Sequence, residues 1–390
     1  MRVTFPHLGQ LYIFWRALLG GLGLEAVPPP FSSQRTLDLG VRYCPEMTCA
    51  PCKLIFGNYL EALERGADAV LFFGGYDACR LGYSMPWQAQ LLREMGFEFR
   101  DYSFNLRTIR EDLLARIRDF AAAGGASPLD TLEAVRFAFA KLRLTDAAER
   151  QAQRLRPRET RPGATDQVLR DVLARIDALP PTGRPSLEAQ GATILARFEA
   201  VPRDEDRPVV RVGIIGDPYT MLEPFFNRGL EEELGRLGVE VHRWLYIGDL
   251  TRWDILAGLA PNPHGEPVRE AAQTFVGRDI GGFGRMTVGH AVLFARAGFD
   301  GLVHLAPFEC VPEVVAHNVL RRLQDEIPIL SLTFDEQTAR AGLVTRLEAF
   351  ADMLHMRAGR GLRGEIPTRP DADRLGASMP GLARAGDRSL

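Results

Sequence analysis

The sequence predicts an α/β protein: two doubly wound, Rossmann-like lobes with parallel sheets, joined by a helical segment. Three observations carry that expectation. Short apolar runs alternate with amphipathic stretches in the first and last thirds of the chain. The runs "ADAVLFFGG" and "FDGLVHLAP" are apolar almost throughout, as strands buried on both faces of a parallel sheet are. Between residues 108 and 205 the alternation stops and only helical spacing persists.

In order, "RVTFP" reads as a strand, "GQLYIFWRALLGGLG" as a helix and "LEAVPPP" as a short strand closed by prolines. "CKLIFGNYLEALERG" has apolar residues at helical spacing and stops at Gly66, a common helix end. "ADAVLFFGG" is the next strand, "SMPWQAQLLREMG" a helix and "FEFRDYSF" a strand, completing an N-terminal lobe over 1–107. The helical region, 108–205, holds "RTIREDLLARIRDFAAAGG", "PLDTLEAVRFAFAKLRLTDAAERQAQRLR" and "SLEAQGATILARFEAV", with breaks at 157–165 and around 180–185. Alternation resumes over 206–356 with "PVVRVGIIG", "PFFNRGLEEELGRLG", "VEVHRWLYIG", "RMTVGHAVLFARAG", "FDGLVHLAP", "VPEVVAHNVLRRLQDE", "IPILSLTF" and "ARAGLVTRLEAFADMLHMR". The tail, 357–390, lacks periodicity and is expected to be disordered.

A chain of 390 residues can bury more than one core. Its 46% hydrophobic and 25% charged residues are ordinary for a globular protein in water. A net charge of −3 argues against nucleic acid or an anionic membrane as partner. No apolar run reaches the ~18 residues of a membrane span, and "MRVTFPHLGQ" lacks the shape of a signal peptide. A cytoplasmic location is therefore expected, where thiols stay reduced and clustered cysteines lean toward metal or redox chemistry. Lys53 and Lys141 are the only lysines among 47 basic residues, and no P-loop motif exists. "GGFGRMTVGH" (281–290) does not complete G-x-G-x-x-G and reads as a tight loop and helix entry.

Three of the five cysteines fall in "LGVRYCPEMTCAPCKLIFGN", at Cys44, Cys49 and Cys52. The other two end a weak internal echo, "ERGADAVLFFGGYDAC" (64–79) and "ARAGFDGLVHLAPFEC" (295–310). Asp68 precedes Cys79 by eleven positions and Asp300 precedes Cys310 by ten. Each cysteine then follows the carboxyl end of a strand, where open α/β sheets bind ligands, so both lobes would offer a thiol to one cleft. Four readings compete. Cysteine is a small hydrophobe suited to buried turns. Zinc favours paired Cys/His ligands, but Cys79 and Cys310 lack a neighbouring partner. "CAPC" fits a redox pair at a helix start. Iron–sulfur clusters are held by thiolates, and Cys44, Cys49, Cys52 and Cys79 imitate a plant-type ferredoxin spacing.

Around these cysteines, Lys53 and Arg80 are placed to offset negative charge. Glu309 and Glu313 flank Cys310 as candidates for proton transfer, Glu313 equally as a first-turn helix residue. "GDPYTMLEPFFN" follows a strand as ligand loops do, with Tyr219 and Asn227 as candidates, Tyr219 also as a catalytic one. His290 and His304 read as structural.

"RVTFPHLGQLYIFWRALLGGLGLEAVPPP", "RYCPEMTCAPCKLIFGNYLEALERGADAVLFFGG", "LAPFECVPE" and "DEQTARAGLVTRLEAF" together resemble the CoA-protein activase or acyl-CoA dehydratase activase-related family. These are distant relatives of 2-hydroxyacyl-CoA dehydratase subunits and of double-cubane cluster proteins. The resemblance covers about residues 1–355. It implies two α/β domains with a [4Fe-4S] cluster, or a double-cubane cluster, in the cleft between them. The family's cysteine before a proline and lysine falls on Cys49, with Pro51 and Lys53; that of "CRxGY" falls on Cys79, with Arg80; that of "LAPFxCxPE" falls on Cys310. Cys44 and Cys52 are extra, and either would close an iron that relatives leave open. The resemblance also implies a homodimer and a separate ATP-dependent activator as electron donor. Three functions follow: an iron–sulfur reductase or dehydratase-like lyase, a non-catalytic iron–sulfur carrier or scaffold, or a metal-free α/β ligand-binding protein.

Overall fold

Side chains alternate across the strand Ala69–Gly74: Ala69, Leu71 and Phe73 enter one apolar cluster, Val70 and Phe72 another. A strand can be apolar throughout only if both faces are covered, and in this structure both are. The structure is a computed structural model that describes residues 1–74, 79–105, 109–181, 184–250 and 265–359.

Two four-stranded parallel sheets result. In the first, β1 (Arg2–Thr4), β2 (Glu25–Ala26), β3 (Ala69–Gly74) and β4 (Arg100–Asn105) lie in the order β2-β1-β3-β4. In the second, β5 (Val210–Gly216), β6 (Val239–Arg243), β7 (Gly301–Pro307) and β8 (Ile329–Phe334) lie in the order β6-β5-β7-β8. The two orders are the same, as expected of two Rossmann-like lobes. In each, chain direction across the sheet reverses between the two inner strands, β1 and β3 or β5 and β7, the position where such sheets open a crevice.

The echo between the lobes has a structural meaning at its aspartates. Asp68 accepts from Arg2 N at 2.6 Å and its own N–H donates to Arg2 O at 2.9 Å. Asp300 does the same to Arg211, at 2.8 and 2.9 Å. Each ties the inner pair of strands at its amino end, opposite the end that carries the cysteines.

The helical region covers one face of the N-terminal sheet. Val3, Leu71, Phe73 and Phe104 pack there with Phe120 and Phe139 from the helices Ile109–Gly124 and Pro128–Leu155. Ser127 opens the longer helix with a capping box, and Pro128 fits its first turn. The other face of that sheet joins the second lobe: Phe56, Tyr59 and Phe72 belong to one core with Val212, Ile214 and Trp244.

Some elements differ from expectation. A helix at Ala164–Ala178 follows the break at 157–165, its Val172 and Ile176 buried among Ala148 and Ala152. "PFFNRGLEEELGRLG" is two helices, Pro224–Asn227 and Leu230–Arg236, because Arg228 and Gly229 both take positive φ, 61° and 70°. Of the tail expected to be disordered, 357–359 complete the helix Arg340–Gly359 and the rest lies outside the described residues. Among the described residues no helix is long and apolar enough to cross a membrane.

Candidate functional site

Cys49, Cys79 and Cys310 each stand immediately before the first turn of a helix, at Ala50–Glu64, Arg80–Glu94 and Val311–Leu320. Pro51 and Pro312 help two of these starts, since a first-turn proline has a preset φ and sacrifices no needed N–H. Serine, threonine, aspartate and asparagine are the usual residues there because they cap the free N–H groups. None of the three cysteines makes a side-chain cap bond. Three helix starts thus carry sulfur where a better cap would stabilise the helix, and their dipoles favour negative charge at those sulfurs.

Close packing sets the position of Cys49. The helix Gln34–Tyr43 crosses Ala50–Glu64 so tightly that a Cβ on Gly40 would lie 2.1 Å from Lys53 O, and one on Gly57 2.1 Å from Thr36 O. The short segment between these helices carries Cys44, Glu46 and Met47, and the carbonyls of Glu46 and Met47 accept from Lys53 and Arg80. Cys79 and Cys310 follow β3 and β7 in the chain.

Two cations join these loops. Arg80, next to Cys79, donates through Nη1 to Met47 O, two residues before Cys49, and to Glu309 Oε2 at 3.1 Å, one residue before Cys310. One guanidinium therefore touches all three cysteine loops. Lys53 donates to Glu46 O at 3.0 Å and pairs with Glu336, beyond β8 in the other lobe. Glu309 holds a positive φ of 64°, a costly backbone for a residue with a side chain, while its carboxylate holds Arg80.

Burial dominates the electrostatics. It pushes the Cys44 thiol up to about 12 and those of Cys49, Cys52, Cys79 and Cys310 up as well. Negative charge adds to this: Cys49 feels Cys52, Cys79 and Asp217, and Cys310 feels Asp217, Glu313 and Cys49. The thiols of the two lobes are thus electrostatic neighbours. Burial and these neighbours favour the neutral thiols.

Asp217 is the site residue that sequence reasoning missed. The loop was singled out, but Tyr219 and Asn227 were the candidates in it. Tyr219 is buried against Phe226, and burial pushes its phenol well up. Asn227 donates to Thr220 O and Met221 O and accepts from Gly229 and Leu230, which holds the helix break. The charge of Asp217 helps to raise the Cys49, Cys79 and Cys310 thiols, and burial, with Glu313 adding, pushes its own carboxyl up to about 6 against the hydrogen bonds from Thr220. Its signal in the sequence was its place, directly after the inner strand β5.

The other candidates are engaged elsewhere. Glu313 is buried, accepting from Thr287 Oγ1 at 3.0 Å and bonded to His304 at 2.9 Å, the first-turn role already allowed for it. His290 stacks on Trp244 with ring centres 4.9 Å apart. Cys52 is fully buried, and its sulfur accepts from the Gln88 amide at 3.2 Å. Cys44 ends the helix Gln34–Tyr43. The glycine-rich stretch is a tight loop and helix entry, as read from sequence.

All five cysteines are free thiols. Among the described residues, no three Cys, His, Asp or Glu side chains stand close enough to share one metal ion. A single zinc site finds no support in that. A cluster offers each thiolate its own iron, so its donors need not converge on one atom, and three soft donors at three helix starts fit such a group.

Residues 7–73 match the family model of the CoA enzyme activase uncharacterised domain. The matched span includes Cys44, Cys49 and Cys52 and ends within β3, before Cys79 and Cys310. That stretch of the N-terminal lobe is similar to this uncharacterised domain. No curated protein matches the chain.

Proposed function

We propose that the chain is an iron–sulfur protein, with a [4Fe-4S]-type cluster held by Cys49, Cys79 and Cys310 in the cleft between the lobes. Its work would be low-potential electron transfer, or reductive or dehydratase-like chemistry on a small molecule or an acyl-CoA. One observation carries this: three helix-start thiols from both lobes, their loops joined by Arg80. The match to the CoA enzyme activase uncharacterised domain over 7–73 supports the acyl-CoA side.

Such a cluster, when bound, supplies one-electron chemistry and, at an iron without a protein ligand, Lewis acidity. The chain's own residues do the rest. The three helix starts, Arg80 and Lys53 offset the negative charge that thiolates bring into a buried cleft. Glu309 fixes Arg80. With no P-loop in the sequence, ATP-driven electron input would come from a separate activator protein, and a homodimer is the assembly proposed. A carrier without catalysis would use the same residues.

The test is iron and acid-labile sulfide per chain, with EPR of the reduced protein, for wild type and Cys310→Ala under strict anaerobiosis. The expected result is about four irons per chain, lost in the variant. Iron retained without Cys310 would move the site to Cys44, Cys49, Cys52 and Cys79. Iron-free wild type would leave a metal-free ligand-binding protein.

A further inference from the structure

We infer that two copies of this chain meet along the exposed side of the helix Val311–Leu320, antiparallel across a two-fold axis. This locates the homodimer proposed above and rests on that assembly, not on the cluster. One side of the helix packs inward through Pro312, Glu313, Ala316 and Leu320. The other side is open: Phe308, Val311, Val314 and Val315 are 37–55% exposed. The three valines stand at i, i+3 and i+4, so they form one ridge, which Phe308 prolongs toward the strand. Exposed apolar residues scattered singly need no explanation, but four on one ridge do.

The ridge differs at its two ends, and that difference selects a second copy as its partner. The one acid within the helix, Glu313, is buried. In the turn that follows, Arg321 and Arg322 are exposed. Among the described residues neither makes an ion pair, although Asp325 and Glu326 follow three to five positions on. At the other end stand the ring of Phe308 and the carboxylate of Glu309. A two-fold axis between Val314 and Val315 sets these valines against those of the second copy. It also brings Arg321 and Arg322 of each copy beside Phe308 and Glu309 of the other, where a guanidinium meets an aromatic face and a carboxylate. Each end carries what the other lacks, as a self-complementary interface requires.

A stable dimer buries about 800 Å² on each partner, more than one ridge offers. Arg80 connects the ridge to further exposed apolar surface. Its Nη1 reaches both Glu309 Oε2 and Met47 O, and the Met47 side chain is exposed. Tyr83, one turn beyond Arg80, is exposed as well. The second copy would cover this surface and place its Arg321 and Arg322 at the rim, next to the loop that precedes Cys310.

The test is anaerobic sedimentation equilibrium of the full chain, wild type against Val314→Glu and Arg322→Glu, with thermal unfolding as a check on the fold. Met356→Glu, at an exposed methionine of the helix Arg340–Gly359, is the control. Wild type and the control are expected to dimerise alike. Val314→Glu sets like charges against each other at the axis and is expected to raise the dimer dissociation constant at least about tenfold. Arg322→Glu, in an exposed turn that tolerates exchange, is expected to raise it several-fold. Folded variants that dimerise as tightly as wild type overturn the interface while the homodimer stands. Val315→benzoylphenylalanine, irradiated, is expected to cross-link to residues 308–322 of a second copy, and a cross-link elsewhere on that copy overturns the antiparallel arrangement. Wild type that stays monomeric defeats the homodimer itself and leaves the ridge to a different protein. Neither readout requires iron, so failure of the cluster reading would not be mistaken for failure of this one.

Discussion

The two lobes share strand order and tie their inner strands with equivalent aspartates, Asp68 and Asp300, yet they furnish the cleft differently. Where the N-terminal lobe starts the helix before β3 with Cys49, the C-terminal lobe starts the helix before β7 (Gly284–Arg296) with Phe283. There a Cβ on Gly284 would lie 2.5 Å from Pro312 O, so the glycine lets the Cys310 helix settle close. One lobe uses that position for a thiol and the other for an approach that seats a thiol. The amino ends of the sheets are alike because they hold the scaffold; the carboxyl ends diverge where the cysteines follow the strands.

Breaking the joint between the lobes gives the largest expected effect. His7, just after β1, bonds Glu223 at 2.7 Å with both side chains buried, and Gly9 N donates to the same oxygen at 3.3 Å. Glu223→Ala leaves these groups without an acceptor and is expected to cost about 3–5 kcal/mol in urea unfolding. Glu25→Ala removes a pair with Arg2 that is largely exposed, and is expected to cost less than about 1 kcal/mol. Equal losses from the two would show that the joint contributes no more than a surface pair.

The scaffold half of that comparison was legible in the sequence, because burial on both faces writes itself as unbroken apolar runs. The site half was legible where a rare residue marked it: Cys79 and Cys310 follow strands and precede helices, and cysteine is scarce. Asp217 hid because aspartate before proline is also an ordinary helix start. The helix Gln34–Tyr43 hid because its contact uses glycine rather than an apolar stripe, with only Thr36, Leu37 and Gly40 buried.

Acid should separate the sheet edges. On β6, burial would raise the Glu240 carboxyl, but His242 at 2.8 Å and Arg158 at 2.6 Å hold it down to about 2. A carboxylate depressed in the folded state stabilises above its unfolded value, and that contribution is lost as pH falls from about 4.5 toward 2. The loss is expected to reach about 2–3 kcal/mol. Glu240→Gln should flatten the pH dependence of unfolding, and β6 amides should exchange before those of β5. On the matching edge of the N-terminal sheet, Glu25 of β2 is exposed, and Glu25→Gln should leave the curve nearly as in wild type. Matching curves for Glu240→Gln and wild type would remove Glu240 as the acid-sensitive group.

The glycine contact offers a smaller effect with a sharper readout. Gly284→Ala forces backbone apart at Pro312 and is expected to cost about 1–3 kcal/mol. It should also lower iron per chain, because Cys310 stands two residues before Pro312. Gly342, in the helix Arg340–Gly359, has nothing within 4 Å of an added Cβ. Gly342→Ala should be neutral or stabilise by up to about 1 kcal/mol, with iron unchanged. Iron kept in Gly284→Ala at reduced stability would separate scaffold packing from the site.

Arg80 should move stability least and the site most. Its side chain is 45% exposed, so its pair with Glu309 is screened and worth less than about 1 kcal/mol. Its geometry matters more than its energy, because Nη1 reaches both Met47 O and Glu309 while Cys79 precedes it in the chain. Arg80→Gln keeps length and polarity but loses the charge and the forked donor. Thermal unfolding of the iron-free protein should barely change, whereas iron retention during anaerobic dialysis should fall several-fold. Arg80→Lys should recover part of that retention, since an ammonium restores the charge but not the reach and planar geometry of the guanidinium. If Arg80→Gln holds iron as wild type does, each lobe fixes its cysteines alone, and the match between the two lobes is a matter of scaffold only.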